Sequence, residues 1–254
     1  MTTDDRPVLV FDVNETLSDM RPLRHAFEEV GVPGELAATW FASVLREGFA
    51  LAVHGEAQPF SVLGQETART LFTLHPPAGD VEDAVARVLD AVQRLPLHAD
   101  VPDGVRSLAD AGFRLTALTN GSAATAEGLL ERGGVRQHFE RVCSVEEAPC
   151  WKPASEAYTW ASGAWGVPPE QMLMVAVHPW DLHGAARAGL RTAWKHGSLG
   201  AGDLQCLRRL PMPGIMAACL AESCGSTWAP HRASGRPTPC SGRLSGGCPG
   251  EPTW

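Results

Sequence analysis

The chain has 254 residues, 44% hydrophobic and 20% charged, enough for one sizeable core or a core with a smaller insert. Its formal charge is −8, from 29 acids against 21 bases, which argues against nucleic acid or an anionic membrane as its main partner. The N-terminus MTTDDRPVLVFD carries acids where a signal peptide carries bases, and no run approaches 18 apolar residues, so a cytoplasmic, reduced protein with no membrane segment is expected.

Residues 8–12 (VLVFD) are a short apolar run ending in an acid. That pattern predicts a buried parallel strand with a carboxylate at its C-terminal end. Residues 18–94 have a helical pattern. HAFEEV, ELAATWFASVLREGFALAV, PFSVLGQETARTLFTL and VEDAVARVLDAVQRL carry apolar residues at three- and four-residue spacing, with breaks at 31–34, 54–59 and 76–79. After Pro96 the pattern alternates strictly. Helices are expected at 102–111, 122–132, 153–165 and 180–188, and strands at 113–118, 139–145, 172–177 and 190–194. This is the signature of an α/β fold, a doubly wound parallel sheet with right-handed crossovers. The expected organisation is a core from 1–17 and 95–196, with 18–94 inserted after the first strand as a helical cap.

Residues 197–254 differ. Ten of these 58 positions are Gly, seven Pro and five Cys. That is the level of a low-complexity or disordered segment. Its five arginines and three acids give +2, leaving −10 on the first 196 residues. Its cysteines match no zinc spacing, since Cys219 and Cys224 have no second close pair. Out-of-frame translation of a GC-rich gene also produces this mixture, and a low-complexity tail, disordered or frameshifted, is the expectation. Fold and function are read from the first 196 residues.

Ligands of doubly wound sheets bind beyond the carboxyl ends of the strands. Four polar clusters fall there: Asp12 to Thr16 with Asn14 between them, Thr119–Asn120–Gly121–Ser122, Lys152, and His178–Trp180–Asp181. A carboxylate, hydroxyl and amide donors, one ammonium and a second carboxylate suit nucleophilic carboxylate catalysis on a small molecule. Trp40 and Phe41, on the inner face of the insert, are candidates to line the pocket. His178 and His183 flank Asp181 but lack a clear third metal ligand, so no metal site is expected there.

The order and spacing of these clusters resemble the haloacid dehalogenase superfamily over roughly residues 7–196. VLVFDVNETL resembles its first motif, LTNGS the second, WKPASEAY the third and VAVHPWDLHGAARAGLRTAW the fourth. The detail is most similar to the type II (L-2-haloacid) dehalogenases. Trp180-Asp181 through Trp194 follow that branch's fourth motif, and Tyr158, the only tyrosine in the chain, follows the KP pair.

The resemblance implies that Asp12 displaces halide from C2 of a short 2-haloacid, forming an ester that water opens to a 2-hydroxy acid. Thr16 is then the hydroxyl beside the nucleophile. Thr119 and Asn120 are donors to the substrate carboxylate or to the nucleophile, with Asn14 and His178 at the substrate. Lys152 keeps Asp12 ionised, Asp181 orients Lys152 or the water, and Tyr158 helps place them. No cofactor is implied, and a homodimer is one possible assembly.

Two alternatives stay open. Phosphatases of the superfamily use Asp-x-Asp with acids in the fourth motif that hold magnesium. Here the second position is Asn14, which cannot donate a carboxylic proton, and the fourth motif offers only Asp181. An inactive domain that binds a metabolite is the other. Its motivation is a departure in the insert: the type II enzymes carry an arginine after a Trp, and here Phe41 follows Trp40. Arg46, a turn later, is the substitute the sequence offers. Ala176 and His178 also replace a Ser-x-Asn pair.

Overall fold

The computed structural model describes residues 6–195. The expectation of a disordered or frameshifted tail at 197–254 lies outside the described residues. Five parallel strands form one sheet in the order β3-β2-β1-β4-β5. They are β1 Val8–Phe11, β2 Leu115–Thr119, β3 Phe139–Ser144, β4 Met172–Ala176 and β5 Arg191–Trp194. Four helices precede β2 within the insert: α1 Leu23–Glu29, α2 Leu36–Val53, α3 Phe60–Leu74 and α4 Val81–Gln93. The helices between strands are α5 Val101–Asp110, α6 Ala123–Arg132, α7 Ser155–Trp165 and α8 Pro179–Arg187.

β1, β2 and β4 are buried throughout, which is why β1 (VLVF) and β4 (MLMVA) read as unbroken apolar runs rather than alternating ones; β2 (LTALT) buries two threonines as well, and Thr116 Oγ1 donates to Leu9 O. Alternate residues feed two cores. Leu9 and Phe11 pack with Val105, Leu108, Leu129 and Leu130 of α5 and α6. Val8 and Val10 share the other cluster with Tyr158 and Ala161 of α7, Ala185 of α8 and the apolar faces of the insert. Helices therefore cover both faces. The chain reverses its direction of travel across the sheet between β1 and β4, and β1 pairs with β4 from Val8–Met172 to Phe11–Val175. The crevice at such a switch point is where open α/β sheets bind ligands.

Local chemistry sets the ends of the elements. Asp80 and Ser122 cap α4 and α6 by accepting from the backbone N–H of Asp83 and Thr125. Gly166 ends α7 in the left-handed conformation, φ 65°. Two boundaries depart from expectation. β2 begins at Leu115 rather than 113, because Gly112 turns at φ 80° and the Phe113 N–H still bonds to Leu108 O of the preceding helix. α7 begins at Ser155 rather than 153, because Ala154 is extended (ψ 136°) and takes the N-cap position.

The insert packs around its own aromatics. Phe27, Trp40, Phe60 and Phe72 are buried and in mutual ring contact at 6.0–6.3 Å. α2 is 18 residues long with mean hydropathy 1.3, long and apolar enough by composition to cross a bilayer. Its Trp40, Phe41 and Val44 nevertheless face this core. The insert leaves and rejoins the sheet side by side: Ser18 bridges Leu97, Asp19 N–H donates to Pro96 O, and His98 N–H donates to Leu17 O. Sheet and insert belong to one compact unit.

Candidate active site

Asp12 follows the last residue of β1, and its backbone N–H continues the pairing by donating to Val175 O at 3.0 Å. Its carboxylate is buried and has two partners. Lys152 Nζ donates to Oδ1 at 2.9 Å, and Thr16 Oγ1 donates to Oδ2 at 2.6 Å. Thr16 Oγ1 in turn accepts the Val177 N–H at 3.1 Å, which ties the loop after β1 to the loop after β4.

Lys152 is fully buried, and its ammonium has three acceptors: Asp12 Oδ1, Asp181 Oδ2 at 2.7 Å and the Leu118 carbonyl at 2.8 Å. Three hydrogens meet three oxygens, so no donor is left over. Burial alone would drive this ammonium toward losing its proton. Asp12 and Asp181 outweigh that, and its pKa lies above the usual lysine value.

Asp181 lies in the first turn of α8 but does not cap it. Oδ2 accepts from Lys152, and Oδ1 accepts from the Tyr158 hydroxyl at 2.5 Å. Burial, reinforced by the charge of Asp12, pushes the Asp181 carboxyl upward against the pull of Lys152 and Tyr158. Burial, then the neighbouring Asp181 charge, raises the Tyr158 phenol well above its ordinary range, so it remains a donor. α7 and α8 come this close because of Gly184: a Cβ there would lie 2.4 Å from Pro153 O and 2.9 Å from the Tyr158 oxygen.

The other sequence candidates divide. Asn120 was expected to reach substrate or nucleophile. Its amide is spent on the backbone of Lys152 instead, donating from Nδ2 to Lys152 O and accepting the Lys152 N–H at Oδ1, both at 3.0 Å. Thr119 Oγ1 accepts the Gly121 N–H at 2.9 Å. Thr119 and Asn14 border a cavity of about 20 Å3, water-sized, beside that turn.

His178 stacks on Trp180, ring centroids 5.0 Å apart, and its Nε2 lies 3.2 Å from Glu15 Oε2 without a hydrogen bond. Glu15 itself is left-handed, φ 61°, with its carbonyl 3.0 Å from His98 Nε2. A non-glycine residue there carries a strain of about 1 kcal/mol, and such strain gathers at functional sites. Burial raises the Glu15 carboxyl above its ordinary value, with His178 opposing.

Two expectations about the insert are corrected. Trp40 does not line a pocket: it is fully buried, and its Nε1 donates to Gly64 O at 3.0 Å inside the insert core. Arg46 does not enter the site; it is exposed and paired with Glu47 at 2.7 Å. Phe41 does border a cavity, of about 350 Å3, whose lining also includes Glu15 and Val177.

Trp151 went unnoticed in the sequence. It is fully buried, stacked on Phe60 with centroids 6.3 Å apart, and its Nε1 donates to Gln58 O. Gly48 of α2 faces it with no room for a Cβ, which would lie 2.3 Å from the indole. The insert thereby grips the residue next to Lys152. The legible signal was a tryptophan beside the motif lysine and a glycine inside an otherwise strong helix.

The donor set does not fit magnesium. All four carboxylate oxygens of Asp12 and Asp181 are engaged by Lys152, Thr16 and Tyr158. Position 14 offers an amide, and 177–178 offer Val and His. Among the described residues no three His, Cys, Asp or Glu side chains converge.

With that geometry in view, the comparisons with known proteins agree. The (S)-2-haloacid dehalogenase of Pseudomonas putida is 29% identical over 198 residues, 77% of this chain and 86% of its own length. Haloacetate dehalogenase H-2 of Moraxella sp. (strain B) is 29% identical over 190 residues, 73% of this chain and 84% of its own. The solved L-2-haloacid dehalogenase from Xanthobacter autotrophicus superposes with a TM-score of 0.68 at 26% identity, over 77% of this chain and 80% of that one. The model of the haloacid dehalogenase-like hydrolases matches residues 7–189. The chain belongs to the haloacid dehalogenase-like hydrolase family.

Proposed function

We propose that this protein hydrolyses the carbon–halogen bond of a 2-haloacid through an ester on Asp12. The observation that carries the reading is the buried array of Asp12, Lys152 and Asp181 together with the amide at position 14. A carboxylate held by an ammonium and a hydroxyl is a positioned nucleophile. Halide leaves as a stable anion and needs no proton, so Asn14 is no handicap where a phosphoryl leaving group would require an acid.

An Asp12 oxygen attacks C2 from the side opposite the halide, the carbon–halogen bond breaks, and the electron pair leaves with the halide. Water then adds to the ester carbonyl of Asp12. The ester C–O bond breaks, the 2-hydroxy acid departs, Asp12 is restored, and one proton passes to solvent. Lys152 stays charged and faces the carbonyl oxygen on which negative charge develops. Asp181 and Tyr158 hold Lys152 in place, and Asn120 holds its backbone. In this reading the four-helix insert is the cap that shields the ester from bulk water. The protein works in the cytoplasm, which suits its free Cys143 and Cys150.

Halide release from millimolar 2-chloropropionate and chloroacetate tests this. Release by the native chain that falls by about a thousandfold or more in Asp12→Asn supports it. Absence of release, or EDTA-sensitive turnover of p-nitrophenyl phosphate in its place, overturns it.

A further inference from the structure

The loops after β1 and β4 meet at two adjacent points. At the first, Val177 N–H donates to Thr16 Oγ1 at 3.1 Å, and that hydroxyl donates to Asp12 Oδ2 at 2.6 Å. The second is made by the next residue on each strand loop, Glu15 before Thr16 and His178 after Val177. His178 Nε2 lies 3.2 Å from Glu15 Oε2. That nitrogen is buried and has no hydrogen-bond partner among the described residues, so the carboxylate is the group it faces. A buried polar atom is costly to leave alone, and a facing carboxylate relieves it.

Both members of the pair are fixed from elsewhere. Glu15 N–H donates to Ser18 Oγ at 3.2 Å, and the Glu15 carbonyl lies 3.0 Å from His98 Nε2. His178 stacks on Trp180, and Trp180 meets Phe49 of α2 edge-on at 4.9 Å. Glu15 is also left-handed, φ 61°, a conformation that glycine adopts freely. A strained non-glycine residue persists only where its surroundings over-determine it. The side chain that a glycine would lack is the one that reaches His178.

We propose that Glu15 and His178 form a strut between the two loops, and that this strut holds the Thr16 hydroxyl, and through it the Asp12 carboxylate, in the orientation for attack. Both are positioning residues, since they act through Thr16. The inference rests on the dehalogenase reading above for the reaction that is positioned. It gives His178 a place on Glu15 rather than on the substrate. The strut needs Glu15 as an acceptor, so it weakens as pH falls and that carboxyl gains a proton. Burial raises the carboxyl above its ordinary 4.5, Asp12 adding to the rise and His178 and His98 opposing it. Asp19, Arg21 and Arg24 share the cavity that Glu15 lines.

The test follows 2-chloropropionate turnover on the full chain. Glu15→Gly removes the strut and relieves the backbone, so its Tm should stay close to the native one. Its kcat is expected to fall about tenfold with KM within about threefold. His178→Ala should lose as much, and the double variant no more than either, because the pair acts as a unit. Glu15→Gln keeps an acceptor oxygen that cannot titrate. It should hold kcat within about threefold of native and lack the acid limb above pH 4.5 that the native kcat shows. Arg106→Ala, on the exposed side of α5 with Asp103, should match the native chain.

A loss confined to KM, additive losses in the double variant, or an acid limb that persists in Glu15→Gln overturns the proposal. Should 2-chloropropionate not be turned over, the dehalogenase reading fails, and hydrogen exchange of the Val177 amide decides about the strut separately. Exchange about tenfold faster in Glu15→Gly, with the Asp12 amide that bonds Val175 O unchanged, supports it. Equal exchange at Val177 overturns it.

Discussion

Lys152 is the residue on which the site turns, since it alone separates two buried carboxylates. Removing one partner of a buried charge cluster leaves the others uncompensated, at a cost of about 3–5 kcal/mol. Lys152→Met should therefore lower the free energy of unfolding by about that amount at neutral pH, read by urea denaturation, besides abolishing turnover. The sign of its pH dependence follows from its raised pKa. A cation whose folded pKa exceeds its unfolded one contributes stability that is complete below the ordinary lysine value, 10.5, and is lost as pH rises through the folded value. kcat/KM should accordingly show no alkaline limb from this group below about pH 10.5, and an apparent pKa near 8–9 assigned to it by Lys152→Arg would contradict that. Tyr158→Phe leaves Asp181 Oδ1 without its donor in a buried setting. It should lower stability by about 1–3 kcal/mol and reduce kcat more than it changes KM.

Between elements, the site depends on close approaches that only small residues allow. Gly184→Ala would push a methyl into Pro153 O and the Tyr158 hydroxyl, separating α7 from α8 at the point where Lys152 and Asp181 meet. A loss of about 1–3 kcal/mol is expected for such overpacking, measured as a shift of the urea midpoint at constant slope. Much of this level is legible in the sequence. The unbroken run VLVFD and the alternation of strand and helix after Pro96 suffice for the sheet and for Asp12 at a strand end, because the central strands β1 and β4 are buried on both faces and are apolar throughout. What is not legible is which neighbour covers a buried face. Helical spacing marks Trp40 and Phe41 alike as inward, yet one is sealed by Gly64 and Phe60 and the other borders the cavity. Main-chain partners are equally silent: nothing in the letters singles out the Leu118 carbonyl as the third acceptor of Lys152, or the Val177 N–H as the donor to Thr16. Asn120 has a recognisable motif position, but its commitment to the Lys152 backbone depends on how two distant loops meet.

For the molecule as a whole, one hydrophobic cluster runs from Val8 and Val10 of the sheet through Trp151 to Phe60 and Trp40 of the insert. Shared burial of this kind couples the two parts energetically. Urea unfolding followed by tryptophan emission and by far-ultraviolet dichroism should give coincident transitions over the described region, and an earlier separate transition of the insert would contradict the coupling. The same continuity lets the insert hold Trp151, and through it the Lys152 loop, over the end of β1. The central claim is that oxygen passes from Asp12 to the substrate before it is replaced from water. A single turnover in heavy-oxygen water, with enzyme in excess over 2-chloropropionate, tests that most directly. The account predicts an unlabelled hydroxyl in the 2-hydroxy acid and one heavy oxygen on Asp12, located by mass spectrometry of its peptide. A labelled hydroxyl with an unlabelled Asp12 would mean that water attacks C2 itself, and would contradict it.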